Sequence, residues 1–552
     1  MTYRLPFALS LLAAACAHAY EADKTYHFTI LHTNDLHGHF APNANGEAGY
    51  AAQKTLIDQI RKEVKEKGGE LLILNAGDIN TGTPESDMQD AMPDIEALNV
   101  MGYEAMTLGN HEFDNPDSVL QQQRQLAHFP FLSANVYKKA DGKPLVEPYK
   151  IFDKGGLKIG VMGLTTEDTA KLGNPEYMQA TTFTLPKDAA ADILKQWAEG
   201  DKPDVKIALT HLGYYPNGEH GSNAPGDVSL ARALDKGALD MIIGGHSHDT
   251  VCVHEDGSFN DEYQPGDACT PDRQNGIWIM QAGEWGKYLG RADFSFKNGD
   301  LTLENYRLIP VNLKKKVKKD DGKSEYVLYE EEIAANAEIN ALLDPYIKKG
   351  EALLGEKIGS VDGELDGERD HVRFFQTNLG RLIAEAQRER AQADIAIMNS
   401  GGIRAGIPAG DITYKSVLTV QPFANTVTSV ELSGEELQQY LNAVGTKSVD
   451  SGAYPQYSAG LAMTVDYDGK QVKDIKIHGE PLDANKIYRV SIPNYVAAGG
   501  DGYPLMTQHP TFVDTGFVDA EVLKDYLAKH SPVKIADYEP KGEIVFPETP
   551  AK

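Results

Sequence analysis

Several things are missing from this 552-residue sequence, and each absence excludes a class of function. Beyond residue 19 no apolar run is long enough to cross a membrane. Positive charge is short: 53 Lys and Arg stand against 81 Asp and Glu, for a net charge of −28. That balance disfavours polymeric nucleic acid as a partner, because affinity there rests on neutralising phosphates. It leaves room for a small anionic substrate, since metal ions and a few arginines make a local positive pocket inside an acidic shell. There is no internal repeat and no low-complexity tract. A composition of 41% hydrophobic and 24% charged residues argues against wholesale disorder. The length exceeds one ordinary hydrophobic core, so at least two domains are expected.

Cysteine is scarce too, with three in the chain. Residues 1–19 read as a secretory signal: Arg4 supplies the positive start, residues 7–15 an apolar run, and Ala17-His18-Ala19 a small-x-small cleavage site. The expected location is therefore the periplasm. Lipid attachment at Cys16 is the alternative, disfavoured because Ala13 stands where an aliphatic residue is wanted. Cleavage after Ala19 leaves Cys252 and Cys269, which enclose a short polar loop. In an oxidising compartment such a pair suggests a disulfide, with two free buried thiols as the alternative.

From about residue 26 to 312, β-type runs alternate with helical patterns such as 51–67, 118–126 and 188–198. This predicts βαβ units and a largely parallel sheet. Hairpins are expected at 151–160 and 290–301, turning at Gly155-Gly156 and Asn298-Gly299. Residues 314–323 read as a charged, solvated loop, and 331–354 as a connecting helix. Beyond 357 the pattern describes a second α/β domain. The expected division is 1–19 signal peptide, 20–330 first domain, 331–356 helical linker and hinge, and 357–552 second domain.

Five apolar runs in the first domain each end in a metal-ligand residue. They lead into Asn34-Asp35-Leu36-His37, Gly77-Asp78, Gly109-Asn110-His111-Glu112, His211, and Gly244-Gly245-His246-Ser247-His248. Strand ends are where an α/β sheet presents its ligands. The candidates are Asp35, His37, Asp78, Asn110, His211, His246 and His248; if Asp78 bridges, each of two ions receives four protein ligands. Mixed imidazole and carboxylate donors suit Zn²⁺, Mn²⁺, Fe or Co²⁺ better than Ca²⁺ or Mg²⁺. Such a pair activates water and neutralises a phosphoryl group, so no protein nucleophile is required. His111 should point toward substrate. Asp114, three residues on, is placed to hold its second nitrogen, and the alternative is a helix-start cap pair.

These blocks resemble, in order, the calcineurin-like metallophosphoesterases. The resemblance implies layered β-sheets flanked by helices, with one ion on Asp35, His37, Asp78 and His248 and the other on Asp78, Asn110, His211 and His246.

Single signals in the second domain are weaker. Arg369 and Arg373 stand four apart and would share a helix face; Arg404 follows an apolar strand; Phe423 and Tyr495 offer two rings for a planar base; Asp501 sits in a glycine loop. Solvated arginines, core aromatics and an ordinary turn are the bland alternatives. The blocks at 373–381, 399–404, 421–425 and 499–503 resemble the 5′-nucleotidase C-terminal domain, so the chain beyond residue 19 resembles the two-domain 5′-nucleotidases and UDP-sugar hydrolases. That resemblance implies that Phe423 and Tyr495 stack the base, that Arg369, Arg373 and Arg404 bind phosphate, that Asn425 and Asp501 contact the nucleoside, and that Cys252 pairs with Cys269. It further implies hydrolysis of 5′-nucleotides and UDP-sugars by a monomer with two divalent ions (Zn, Mn or Co), and large domain rotation. A 2′,3′-cyclic phosphodiesterase with 3′-nucleotidase activity is the alternative enzyme, and a non-catalytic nucleotide-binding protein the alternative of another class.

Overall fold

The structure is a computed structural model and describes residues 20–546 except 44, 173–176, 219–223, 320–323 and 424. The signal-peptide reading and Cys16 lie outside the described residues.

The N-terminal half is a four-layer arrangement. One six-stranded sheet runs in the order Asp300–Pro310, Tyr288–Lys297, Tyr26–Thr33, Glu70–Asn75, Ala105–Thr107, Phe131–Leu132. The other runs Asp272–Gln274, Ile277–Met280, Met241–Ile243, Val205–His211, Leu157–Thr165, Tyr149–Lys154. The two sheets face each other across a core of Ile30, Leu72, Leu74 and Ala105 on one side and Ile207, Leu209, Met241 and Ile243 on the other. Alternate residues point outward, as the period of a strand requires: Leu31 and Ile73 meet helices Tyr50–Glu66 and Met92–Met101, and Met162 and Ala208 meet helix Pro186–Glu199.

The expected parallel pairing is present but divided between two sheets. Tyr26–Thr33, Glu70–Asn75, Ala105–Thr107 and Phe131–Leu132 are parallel in the first, and Leu157–Thr165, Val205–His211, Met241–Ile243 and Ile277–Met280 in the second. Antiparallel hairpins close the edges, at the turns the sequence marked. Two expectations need correction. Lys314–Lys318 is not a loop; it pairs antiparallel with Ser324–Leu328, which satisfies the backbone while the lysine side chains stay largely solvated. The connecting helix is Ala337–Leu354, starting later than the composition suggested because the Asn336 side chain caps it, accepting from the amides of Glu338 and Ile339. Its first half belongs to the N-terminal core through Ile339 and Leu343, and Leu354 packs against the C-terminal core.

The C-terminal half holds a five-stranded sheet, Pro455–Tyr457, Ile395–Asn399, Ile487–Pro493, Thr426–Ser433, Val513–Val518, and a four-stranded one. Helices Asn378–Arg390, Gly434–Gly445 and Asp519–Lys529 cover them. Cys252 and Cys269 are bonded to each other.

The N-terminal core carries one buried acid with a measurable consequence. Burial pushes the Asp94 carboxyl up to about 7, although the hydroxyls of Ser86 and Tyr50 donate to it and pull the other way. The folded state thus binds this proton more tightly than the unfolded chain, whose ordinary value is 3.8. Its contribution to stability is complete below that value and is lost as pH rises through about 7. Urea unfolding should show Asp94→Asn gaining on the parent by on the order of 1 kcal/mol per pH unit across this window; a difference independent of pH would contradict it.

Candidate metal centre

The five parallel strands that carry the candidate ligands are neighbours, three in one sheet and two in the other, and all present their C-terminal ends to one place. Five of the seven candidates adopt left-handed backbone: Asp35 (φ 51), His37 (φ 47), Asp78 (φ 56), His246 (φ 82) and His248 (φ 60). Non-glycine residues seldom sit there, and such conformations are stored where side chains must be aimed. Glycine makes the close approach possible: a Cβ on Gly109 would lie 2.1 Å from Asp78 Oδ1.

The structure brings all seven together. Ligand atoms of Asp35, His37 and His248 lie within 4.8 Å of one another, as do those of Asp78, His211 and His246. Asp78 Oδ2 is 2.9 Å from His211 Nε2 and 3.9 Å from His37 Nε2, so this carboxylate stands between the two groups. Asn110 Oδ1 is 3.2 Å from His211 Nε2.

The rear nitrogens explain which atoms face inward. His37 Nδ1 donates to Thr81 O at 2.7 Å, and His211 Nδ1 to Ala76 O at 2.8 Å. A carbonyl only accepts, so Nδ1 keeps its proton and Nε2 is the nitrogen that faces the centre and can give a lone pair to a metal ion. His248 does the same against Glu284 Oε2 at 2.6 Å. As a result His37 Nε2 and His248 Nε2 face each other at 3.2 Å. Two nitrogens at that distance can share a proton or serve side by side as ligands to one cation. Burial opposes charge on His211 and His248, yet Asp78 and Asp35 lift His211 to about 9, and Asp35 lifts His248 well above its ordinary value. The cluster demands positive charge, and the donor set fits divalent metal.

His111 stands apart in role. Its Nδ1 is 2.6 Å from Asp114 Oδ2, which also accepts from Thr81 Oγ1 at 2.6 Å. Burial pulls the His111 pKa down, but Asp114 and then Asp78 outweigh it and raise it to about 10. The ring lies edge-on to His37 at 5.1 Å.

Three supports escaped sequence reasoning. The buried Glu112 carboxylate accepts from the amides of Asp78, Ile79 and Gly109 at 3.0, 2.9 and 2.6 Å, tying two ligand turns together. Asn34 Nδ2 donates to Asp35 Oδ2 at 2.6 Å and Asn34 Oδ1 accepts from Ala282 N at 2.9 Å. Glu284 backs His248. Glu112 and Asn34 at least adjoin ligands in the sequence; nothing local marks Glu284.

A cavity of about 510 Å³ opens from this centre, walled on its far side by Phe423, Asn425, Asp514 and Gly516 of the C-terminal half. The strand Val513–Val518 passes so close that a Cβ on Gly516 would lie 2.6 Å from His111 Cε1. The remaining substrate candidates do not line this cavity. Phe423 (53% exposed) and Tyr495 (48%) are among the most exposed large apolar side chains. Arg404 Cζ stands 5.5 Å from the centre of the Phe423 ring. Tyr495 Oη donates to Asp501 Oδ1 at 3.2 Å, and Asn399 Nδ2 to Oδ2 at 2.8 Å. Burial, then the charges of Arg369 and Arg404, lower the Arg373 pKa, so the three guanidiniums share one neighbourhood with Asp450 and Asp501.

Residues 28–250 match the calcineurin-like phosphoesterase family, and 357–508 match the 5′-nucleotidase C-terminal domain. The chain is 56% identical to protein UshA of Yersinia enterocolitica, over 98% of this chain and 100% of that one. The chain belongs to this two-domain 5′-nucleotidase family. It is also 56% identical to a 5′-nucleotidase of Vibrio cholerae, over 97% and 96% of the two chains. The solved NAD nucleotidase of Haemophilus influenzae shares the fold, with a TM-score of 0.76 at 24% identity over 95% of this chain and 99% of that one. As a member of the family the protein is a metal-dependent hydrolase of small-molecule nucleotides and binds divalent metal.

The Asp114–His111 pair generates a prediction. His111→Ala should lower kcat by about 10²–10⁴-fold while metal content, measured by elemental analysis, stays at the parental level. Unchanged turnover would remove His111 from the chemistry.

Proposed function

We propose that the protein is an exported, periplasmic 5′-nucleotidase and UDP-sugar hydrolase, monomeric and charged with two ions of the Zn, Mn or Co type. The observation that carries the two-ion reading is Asp78 Oδ2, set between His211 Nε2 at 2.9 Å and His37 Nε2 at 3.9 Å. Asp35, His37, Asp78 and His248 would hold one ion, and Asp78, Asn110, His211 and His246 the other. When bound, the pair supplies a water of lowered pKa and neutralises the phosphoryl group. Export rests on the leader pattern of residues 1–19. Among the described residues no helix is long and apolar enough to cross a membrane.

The rest is the work of the side chains. The base stacks between Phe423 and Tyr495, whose exposure suits rings that await a third. Arg369, Arg373 and Arg404 neutralise the phosphates; Asn425 and Asp501 take the nucleoside. His111, held by Asp114, donates from Nε2 to a phosphoryl oxygen or to the departing ester oxygen. 5′-AMP would then give adenosine and phosphate, and a UDP-sugar UMP and a sugar phosphate.

Recognition and chemistry lie on different domains, and the arginines, Tyr495 and Asp501 stand outside the metal cavity. Turnover therefore requires the domains to rotate. The connecting helix packs into the N-terminal core, which supports a bend near its end, by Gly355.

Assays on metal-loaded protein with 5′-AMP, UDP-glucose and 3′-AMP test this reading. Cleavage of the first two and not the third is expected, and an engineered disulfide that holds the present domain arrangement should abolish turnover without loss of metal. Cleavage of 3′-AMP with 5′-AMP inert would contradict the substrate assignment; full turnover when locked would contradict the rotation.

A further inference from the structure

The metal centre is not symmetric in what stands behind its imidazoles. His37 and His211 donate from Nδ1 to main-chain carbonyls of Thr81 and Ala76, which are neutral acceptors. His248 donates from Nδ1 to a carboxylate, Glu284 Oε2, at 2.6 Å. The other oxygen of Glu284 is 2.6 Å from Lys287 Nζ.

Nor is this carboxylate on a loose loop. The segment that carries it is fastened to the ligand turn at Asp35. Trp285 N donates to Asp35 O at 2.7 Å, and the Asn34 side chain bonds both Ala282 N and Gly283 O. Trp285 adopts φ 54, which turns the chain sharply after Glu284. Its ring stacks on His39 at 4.6 Å, with Lys287 Nζ 4.3 Å from its centre. The turn that presents Asp35 thus also fixes the distance from Glu284 to His248.

We propose that Glu284 is a positioning residue for the metal centre: acting through His248, it tightens the hold of Asp35, His37 and His248 on their ion. A carboxylate behind Nδ1 fixes the tautomer and ring plane and draws on the Nδ1 proton, which raises the basicity of Nε2 toward the metal. Lys287 shares the carboxylate and limits that draw. The neutral carbonyls behind His37 and His211 orient those rings without the same push.

This inference rests on the two-ion reading proposed above, and the test separates their failures. Metal-free protein is titrated with Zn²⁺ or Mn²⁺ against a competing chelator, with bound metal counted by elemental analysis. The parent should take up two ions. Glu284→Gln, which keeps the shape of the side chain and an acceptor for Nδ1, should weaken one binding step by about 10–100-fold and leave the other unchanged. In a His248→Ala background, Glu284→Gln should have no further effect, because the intermediary is gone. Thermal melting of the metal-free variants checks that the loop still folds. A parent that binds fewer than two ions would overturn the two-ion reading itself. A parent with two ions and a Glu284→Gln titration identical to it would overturn this inference alone. So would equal weakening of both steps, or a loss that persists in the His248→Ala background.

Discussion

Two imidazole nitrogens, His37 Nε2 and His248 Nε2, face each other at 3.2 Å in the wall of the cavity, each ring engaged from behind through its Nδ1. The rest of the site follows from that opposition. Around it lie two buried carboxylates, Asp35 and Asp78, and burial alone would raise their pKa values; the neighbouring imidazoles hold Asp35 at about 2 and Asp78 well below the ordinary range. So many buried ionisable groups in one cluster are unfavourable unless their charges are balanced, and the donor set suits cations for that balance. The fold sustains it with local devices: left-handed backbone at five ligands, glycines that remove a clash, and the Glu112 and Asn34 side chains that rivet the turns together.

Those devices depend in turn on the layered core. The parallel strands of the two sheets present their C-terminal ends to one place, and the sheets are held face to face by a buried apolar core. The chemistry sits on turns, but the turns issue from strands whose register is fixed by hydrogen bonds and burial. The C-terminal half contributes a cluster of its own. Arg404 and Tyr495 follow the ends of Ile395–Asn399 and Ile487–Pro493, outside the metal cavity, while Phe423 and Asn425 line that cavity. Val513–Val518 covers His111.

Much of the site was legible in the sequence because metal chemistry needs particular residue types directly after strands, and Asp35, His37, Asp78, Asn110, His211, His246 and His248 all obey that rule. The dyad of His111 and Asp114 was legible for the same reason, through close spacing. What could not be read was set by tertiary placement. Glu284 reaches His248 from a loop that wraps Asp35, a fact that no local pattern encodes. Hydrophobic periodicity identified the parallel strands but is silent on how they divide between two sheets. The lysines of Lys314–Lys318 suggested a solvated loop; the neighbouring strand, not their own preference, makes them a strand. The helix start at Ala337 was set by one capping side chain, Asn336, inside a stretch whose composition is helical throughout.

The claim on which all of this rests is that the gathered donors hold a pair of metal ions with Asp78 between them. Anomalous diffraction from crystals saturated with Mn²⁺ or Zn²⁺ tests it directly. Two peaks about 3.5–4 Å apart, one beside His37 and His248 and one beside His211 and His246, with Asp78 reaching both, are predicted. A map with no peak there, or with a single ion that Asp78 does not touch, would contradict the account.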